Sequence, residues 1–256
     1  HQINFYQQAI AQSKAELVII PETAFPVSEN QIDKDALKTL ARQKYIMTGL
    51  VGEPGNNQYA NSALGLGPKI DYYRYDKVHL VPFGEFIPLG FQWFIDAMRV
   101  PLGNFYRGAS NQSPFVIKQT NTDINTGIMI CYEDVFGGEL ASRIRNNAEP
   151  TNLLINLTNL AWFGQSQAPT QQLRLSQLRS LETGLPALRA TNTGITSVLG
   201  HDGKVLQSLP EFTQATLSTH VQAYSGKTPY VIWGNFPILM FSCLMLIWGL
   251  VRQRRF

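Results

Sequence analysis

Cysteine is nearly missing from this chain: Cys131 and Cys243 are the only two among 256 residues, and the second lies in an apolar tail. No disulfide framework holds such a molecule together, and no bridge between these two is expected. Charge is also sparse, with 15% charged residues and a formal net charge of +3. No basic stripe interleaved with aromatics occurs, which argues against a nucleic-acid partner. The four histidines (His1, His79, His201 and His220) are scattered. No Cys/His cluster has metal-ligand spacing, so neither a metal nor another cofactor is expected. No Gly-x-Ser-x-Gly elbow supports a serine nucleophile, and no internal repeat or low-complexity linker interrupts the chain. It opens on His1 in a helix-like stretch with no signal sequence, and the expectation is a piece of a longer protein.

Long apolar runs are the exception to this scarcity. From Val231 to Val251 no charged residue occurs, and at ~1.5 Å per helical residue the run reaches ~31 Å, a bilayer's hydrocarbon thickness. Tyr230 and Trp233 stand at one end and Trp248 at the other, as interfacial aromatics do. Arg252, Arg254 and Arg255 follow, whereas Lys227 alone lies close on the other side. A membrane helix with a cytoplasmic C-terminus is the expectation; the alternative is a buried core helix. This divides the chain into a domain over residues 1–229 and a membrane tail over 230–256.

The remainder reads as strands alternating with helices, plus hairpins, which predicts a layered α/β domain. Helices are expected over His1–Ala15, Lys34–Gln43, Gly138–Asn146 and Thr170–Thr183, the last ended by Gly184 and Pro186. Strands are expected at Leu17–Ile20, Tyr45–Val51, Gln58–Leu66, Asp71–Tyr75, Val116–Gln119, Thr126–Ile130, Leu153–Leu157, Leu188–Thr191, Thr196–Leu199 and Val205–Leu209. Phe86–Phe105 is apolar and Pro/Gly-punctuated without a clean period. It reads either as a loop packed on itself or as an apolar lid whose Phe91, Trp93 and Phe94 meet lipid.

Three charged or reactive residues close apolar strands or sit in apolar company. Glu22 ends Leu17-Val18-Ile19-Ile20-Pro21, Lys77 lies among Tyr75, His79, Leu80, Pro82 and Phe83, and Cys131 follows Gly127-Ile128-Met129-Ile130. Singly, each has a bland reading: a strand end, a surface charge, and a small buried hydrophobe. Together they make a nucleophilic set in which a thiol attacks, a carboxylate takes its proton and an ammonium holds the oxyanion.

The motifs Pro21-Glu22-Thr23-Ala24, Lys77-Val78-His79-Leu80-Val81-Pro82-Phe83-Gly84-Glu85, Cys131-Tyr132-Glu133, Asn159-Leu160-Ala161-Trp162-Phe163-Gly164 and Thr191-Asn192-Thr193-Gly194-Ile195-Thr196 resemble the nitrilase, or carbon–nitrogen hydrolase, superfamily. Within it the likeness is to the apolipoprotein N-acyltransferase branch. The resemblance covers essentially the whole chain. It implies an αββα sandwich followed by the transmembrane helix, with the branch's N-terminal membrane helices lying outside this sequence. It makes Cys131 the nucleophile, Glu22 the general base and Lys77 the oxyanion stabiliser. Glu85, Tyr132 and Glu133 become supporting residues, and Asn61 and Trp162 are placed around the acyl site. The implied partners are a phospholipid acyl donor and a diacylglyceryl-modified apolipoprotein acceptor, and the protein is expected to be a monomer. The implied place is the bacterial inner membrane, multi-pass at full length, with the catalytic domain periplasmic. Two positions depart from the pattern: Leu160 stands where an Asp is usual, and Gly137 where a Pro is common. Rival readings are a membrane-tethered amide or nitrile hydrolase using the same triad, and a non-catalytic lipoprotein-binding domain.

Overall fold

The computed structural model describes residues 2–55, 58–91 and 105–253. Ten strands form two sheets. The first contains β1 (Leu17–Ser28), β2 (Tyr45–Gly55), β3 (Gln58–Gly67) and β4 (Ile70–Asp76) in that order. The second contains β5 (Phe115–Ile117), β6 (Ile124–Ile130), β7 (Leu153–Thr158), β8 (Ala187–Thr191), β9 (Ser197–Leu199) and β10 (Val205–Ser208), each beside the next. Pairing is parallel for β1 with β2 and through β6, β7 and β8, and antiparallel elsewhere.

Three apolar clusters define four layers. One packs α1 (Gln2–Gln12) and α2 (Lys34–Leu40) on the first sheet through Ile10, Leu37 and Ala41 against Ile20, Phe25, Ile46 and Leu64. The second fills the space between the sheets with Met47, Ala63 and Tyr75 from one and Phe115, Ile128, Ile130, Ile155 and Leu157 from the other. The third sets Met129, Leu154 and Leu199 of the second sheet against Leu140, Ala141 and Ile144 of α3 (Gly137–Asn146). Helix α4 (Ala168–Thr183) adds Leu173 to this outer layer. The period of two explains the assignment: Ile128 and Ile130 face the opposite sheet, whereas Met129 between them faces the helices. Strands covered on both faces read as continuous apolar runs, as the sequence shows here. The expected αββα sandwich is the fold.

The tail differs from the single expected span. Thr228 caps a short helix, α5 (Pro229–Trp233), by accepting from the Val231 N–H at 3.2 Å. Gly234 then takes a positive φ of 56° and breaks the helix. Val231 is wholly buried against the third cluster and belongs to the sandwich. The apolar helix proper is α6 (Phe236–Gln253), and none of its residues is buried. Its 18 residues give about 27 Å at ~1.5 Å per residue, and by length and composition it is the one helix among the described residues able to cross a membrane. Of the expected lid, Trp93 and Phe94 lie outside the described residues, as do Arg254 and Arg255; Phe91 is half exposed and meets Phe83 edge-on.

Candidate active site

Glu22 owes its position to an irregularity in β1. The register runs Ile20 opposite Thr48 and then Phe25 opposite Leu50, so extra residues of β1 bulge out around Pro21–Ala24. Pro21 is tolerated because β1 is an edge strand. The strand does not end at Glu22, as the sequence suggested, but resumes after the bulge. Gly49 makes the bulge possible: a Cβ there would sit 2.4 Å from the Glu22 Cα and 2.7 Å from the Pro21 carbonyl oxygen. The Glu22 carboxylate is 6% exposed. It accepts from the Asn61 amide at 2.6 Å, from the Asn159 backbone N–H at 2.6 Å and from the Lys77 ammonium at 3.5 Å.

Lys77 follows β4 directly and is 1% exposed. Its ammonium also lies 2.9 Å from Glu85, which receives the Asn61 amide at 2.6 Å and the Val81 N–H at 2.8 Å. Burial alone would push Lys77 toward neutrality. The charges of Glu22 and Glu85 outweigh it and hold the ammonium well above its ordinary range. Asn61 thus bridges two carboxylates that flank one buried cation.

Cys131 leaves β6 with a positive φ of 50°, a strained turn for a residue with a Cβ, and opens a short 3-10 turn ending at Val135. The residue is half-buried, yet protein atoms crowd its sulfur. Burial first, then the Glu22 charge, push the thiol up to about 12 against the smaller pull of Lys77. Lys77 favours the thiolate, but burial wins and the resting sulfur carries its proton. The Asn159 carbonyl oxygen lies 4.0 Å from the sulfur and the Gln172 amide nitrogen 3.7 Å from it.

Glu133 does not meet the thiol. Its carboxylate accepts from the Ile130 N–H at 2.7 Å, the Val78 N–H at 2.8 Å and the Tyr75 hydroxyl at 2.8 Å. It therefore ties the residue before Cys131 to the residue after Lys77. Arg143 supports the knot by donating to the Tyr75 hydroxyl and, at 2.9 Å, to the Ile128 carbonyl. Tyr132 turns its ring edge-on to His79 and Phe136. Trp162 stands 81% exposed in the 3-10 turn Ala161–Phe163 and reaches neither Glu22 nor Lys77 by hydrogen bond. The departures from the usual pattern have local reasons. Leu160 is buried at 3% and packs where a Gly194 side chain would collide with it at 2.8 Å. Gly137 lies against the Arg179–Glu182 ion pair, where a Cβ would meet Glu182 at 2.5 Å.

Sequence reasoning quoted Asn159 only within a motif and missed Gln172 and Arg189. The available signal was polarity inside apolar elements: Arg189 interrupts Ala187-Leu188-Arg189-Ala190 in a strand buried on both faces.

A sandwich of two sheets between helices, with Glu22 from a strand bulge and Lys77 and Cys131 from strand ends converging between the sheets, defines a class. The carbon-nitrogen hydrolase family profile matches residues 2–230, and the chain belongs to that family. Its relatives include the apolipoprotein N-acyltransferase of Ralstonia nicotianae, 44% identical over all of this chain and 49% of the relative. That of Nitrosomonas europaea is 38% identical over 96% of this chain and 50% of the relative. The chain thus spans about half the length of the curated relatives it matches. Among solved structures, the carbon-nitrogen hydrolase of Helicobacter pylori G27 superposes with a TM-score of 0.63 at 17% identity, covering 82% of this chain and 80% of that one. The amidase of Nesterenkonia sp. AN1, carrying an acrylamide adduct at its active-site cysteine, gives 0.58 at 20% identity over 82% of both chains. These likenesses concern the fold.

Proposed function

We propose that this chain is the catalytic part of an N-acyltransferase that moves an acyl chain from a membrane phospholipid, through a Cys131 thioester, to the α-amino group of the lipid-modified N-terminal cysteine of apolipoproteins. The observation that carries the reading is the convergence of Glu22, Lys77 and Cys131 in a domain joined to an apolar helix of membrane length. The names of the relatives point the same way.

In this reading Glu22 takes the thiol proton and the sulfur attacks the ester carbonyl. The tetrahedral oxyanion is held by Lys77. The C–O bond breaks, the lysophospholipid oxygen takes the proton from Glu22, and an acyl-thioester remains on Cys131. The acceptor amine then attacks the thioester carbonyl and gives a proton to Glu22. The C–S bond breaks, the amide leaves, and the proton returns to sulfur. This is a ping-pong cycle. Glu85 and Asn61 fix the Lys77 ammonium and the Glu22 carboxylate, Glu133 fixes the strand ends, and Tyr132 and Trp162 border the acyl path. The domain boundary falls at the Gly234 break. Arg252 in the last turn of α6, with Arg254 and Arg255 next in the sequence, supports a cytoplasmic C-terminus and a periplasmic domain in the inner membrane.

The test is intact mass after incubation with phospholipid vesicles. An acyl adduct on Cys131 that persists in water and clears on adding a diacylglyceryl lipopeptide supports transfer. An adduct that clears in water alone supports the hydrolase reading, and lipopeptide binding without an adduct supports the non-catalytic one.

A further inference from the structure

A second set of buried polar side chains reaches Cys131 from α4 and β8. Gln172 sets its amide nitrogen 3.7 Å from the sulfur and 3.5 Å from the Thr158 hydroxyl. Its amide oxygen accepts from the Arg189 guanidinium at 2.9 Å. Arg189 also donates to the Ser176 hydroxyl at 2.7 Å, lies 3.6 Å from the Asp134 carboxylate, and is 2% exposed. Ser176 donates to Asp134, three residues past the thiol in the same turn.

An amide can present either end to a sulfur, and here the choice is fixed. Turning it over would set its N–H group against the guanidinium, donor against donor. Arg189 therefore aims the N–H at Cys131. Packing does not account for this arrangement. The Gln172 oxygen has a structural use, since it accepts from Arg189 at 2.9 Å, but the amide nitrogen does not: its contacts to the sulfur and to Thr158 are long, and an acceptor alone would satisfy Arg189. A thiol gains little from an N–H donor, whereas a thiolate accepts a charge-assisted bond of about twice the neutral strength.

We propose that Gln172 is a catalytic residue that donates its amide N–H to the Cys131 sulfur whenever the sulfur is anionic, and that Arg189 is the positioning residue that sets the amide. The inference rests on Cys131 being the nucleophile. The sulfur becomes anionic twice per cycle: when its proton passes to Glu22 before attack, and when the C–S bond breaks as the amide leaves. One donor thus serves both half-reactions, and Lys77 is left free for the oxyanion.

The experiment uses the chain in detergent with Cys243→Ala, so that Cys131 is the remaining thiol. Iodoacetamide alkylation is followed by intact mass from pH 6 to 10, beside single-turnover acylation from phospholipid vesicles and thermal unfolding. Gln172→Met keeps length and removes the donor, and Gln172→Glu replaces the donor by a carboxylate. In Gln172→Met, alkylation at each pH is expected to fall at least ~3-fold, because the loss of thiolate is partly offset by its greater nucleophilicity. Acylation is expected to fall at least ~10-fold, in line with a single lost charge-assisted hydrogen bond. Gln172→Glu should be slower still. Arg189→Lys, which keeps the cation but loses the fork, should reproduce the alkylation defect in weaker form. Wild-type alkylation in both Gln172 variants would overturn the proposal, as would a lowered unfolding temperature with an unchanged alkylation profile, the mark of a purely structural role. The alkylation arm needs no acyl donor. A shifted profile in a protein whose parent forms no acyl adduct would uphold the role of Gln172 and refute the transfer reading alone.

Discussion

Cys131 rests as a thiol held up to about 12, chiefly by burial and then by the Glu22 charge. The consequence is a site that generates its nucleophile only when a base removes the proton. Alkylation of Cys131 should therefore climb about tenfold per pH unit from pH 6 to 10, with no plateau, because only the thiolate reacts. A plateau beginning below pH 8 would mean a resident thiolate and would refute this account. Lys77→Met removes the neighbouring cation, disfavours the thiolate and raises the thiol further, so alkylation should slow at every pH. The same change leaves Glu22 and Glu85 buried without their counter-charge, and unfolding measurements should show a loss of about 3–5 kcal/mol. Acylation by Lys77→Met or Glu22→Gln should drop ~10²–10⁴-fold. Cys131→Ala should form no acyl adduct while keeping its fold, and Cys131→Ser should retain little, since a hydroxyl is the poorer nucleophile. Normal turnover by Cys131→Ala would end the mechanism.

Elements decide whether these groups meet. The bulge in β1 and the turn after β6 are both local departures from regular strand, and each is secured by a neighbour. Gly49 of β2 lies so close beneath Glu22 that an added methyl must displace backbone. Gly49→Ala is expected to destabilise the protein by ~1–3 kcal/mol through overpacking. It should also slow acylation out of proportion, because a shift of ~1 Å at a catalytic group costs ~10²-fold. Wild-type acylation with lowered stability would show that Glu22 tolerates the displacement. Glu133 works at the same scale by holding the backbone at Ile130 and Val78. Periodicity found nearly every helix and strand, since each segment's apolar pattern matches its layer. It missed the bulge, because nothing in Pro21-Glu22-Thr23-Ala24 says that the strand resumes at Phe25.

For the molecule as a whole, α6 exposes apolar side chains all round, including Phe236, Leu239, Phe241, Leu246, Ile247 and Leu250. Among the described residues nothing covers it, and a helix apolar all round suits lipid or a protein interior better than water. If α6 spans the membrane with Arg252, in its last turn, on the cytoplasmic side, as proposed, Cys131 should be labelled in Cys243→Ala spheroplasts by a membrane-impermeant thiol reagent at alkaline pH. A tag placed after Phe256 should resist protease added from outside. Digestion of the tag in intact spheroplasts would reverse the orientation. Val231 packs in the sandwich and the exposed apolar helix starts at Phe236, after Gly234, a change invisible in an uncharged run that passes through both.

The order of strands and helices, the apolar helix at the end, and the motifs that carry Glu22, Lys77, Glu85, Glu133 and Cys131 were legible in the sequence, because periodicity and local motifs are properties of short segments. What only the tertiary structure decided is which groups touch. Glu22 is brought to the Asn159 N–H across 137 positions, Lys77 to Glu22 across 55, and Gln172 to the thiol across 41. It also decided the protonation of Cys131 and the direction in which the Gln172 amide points. Both depend on burial and on charges delivered from distant strands, and neither quantity exists until the two sheets have closed on each other.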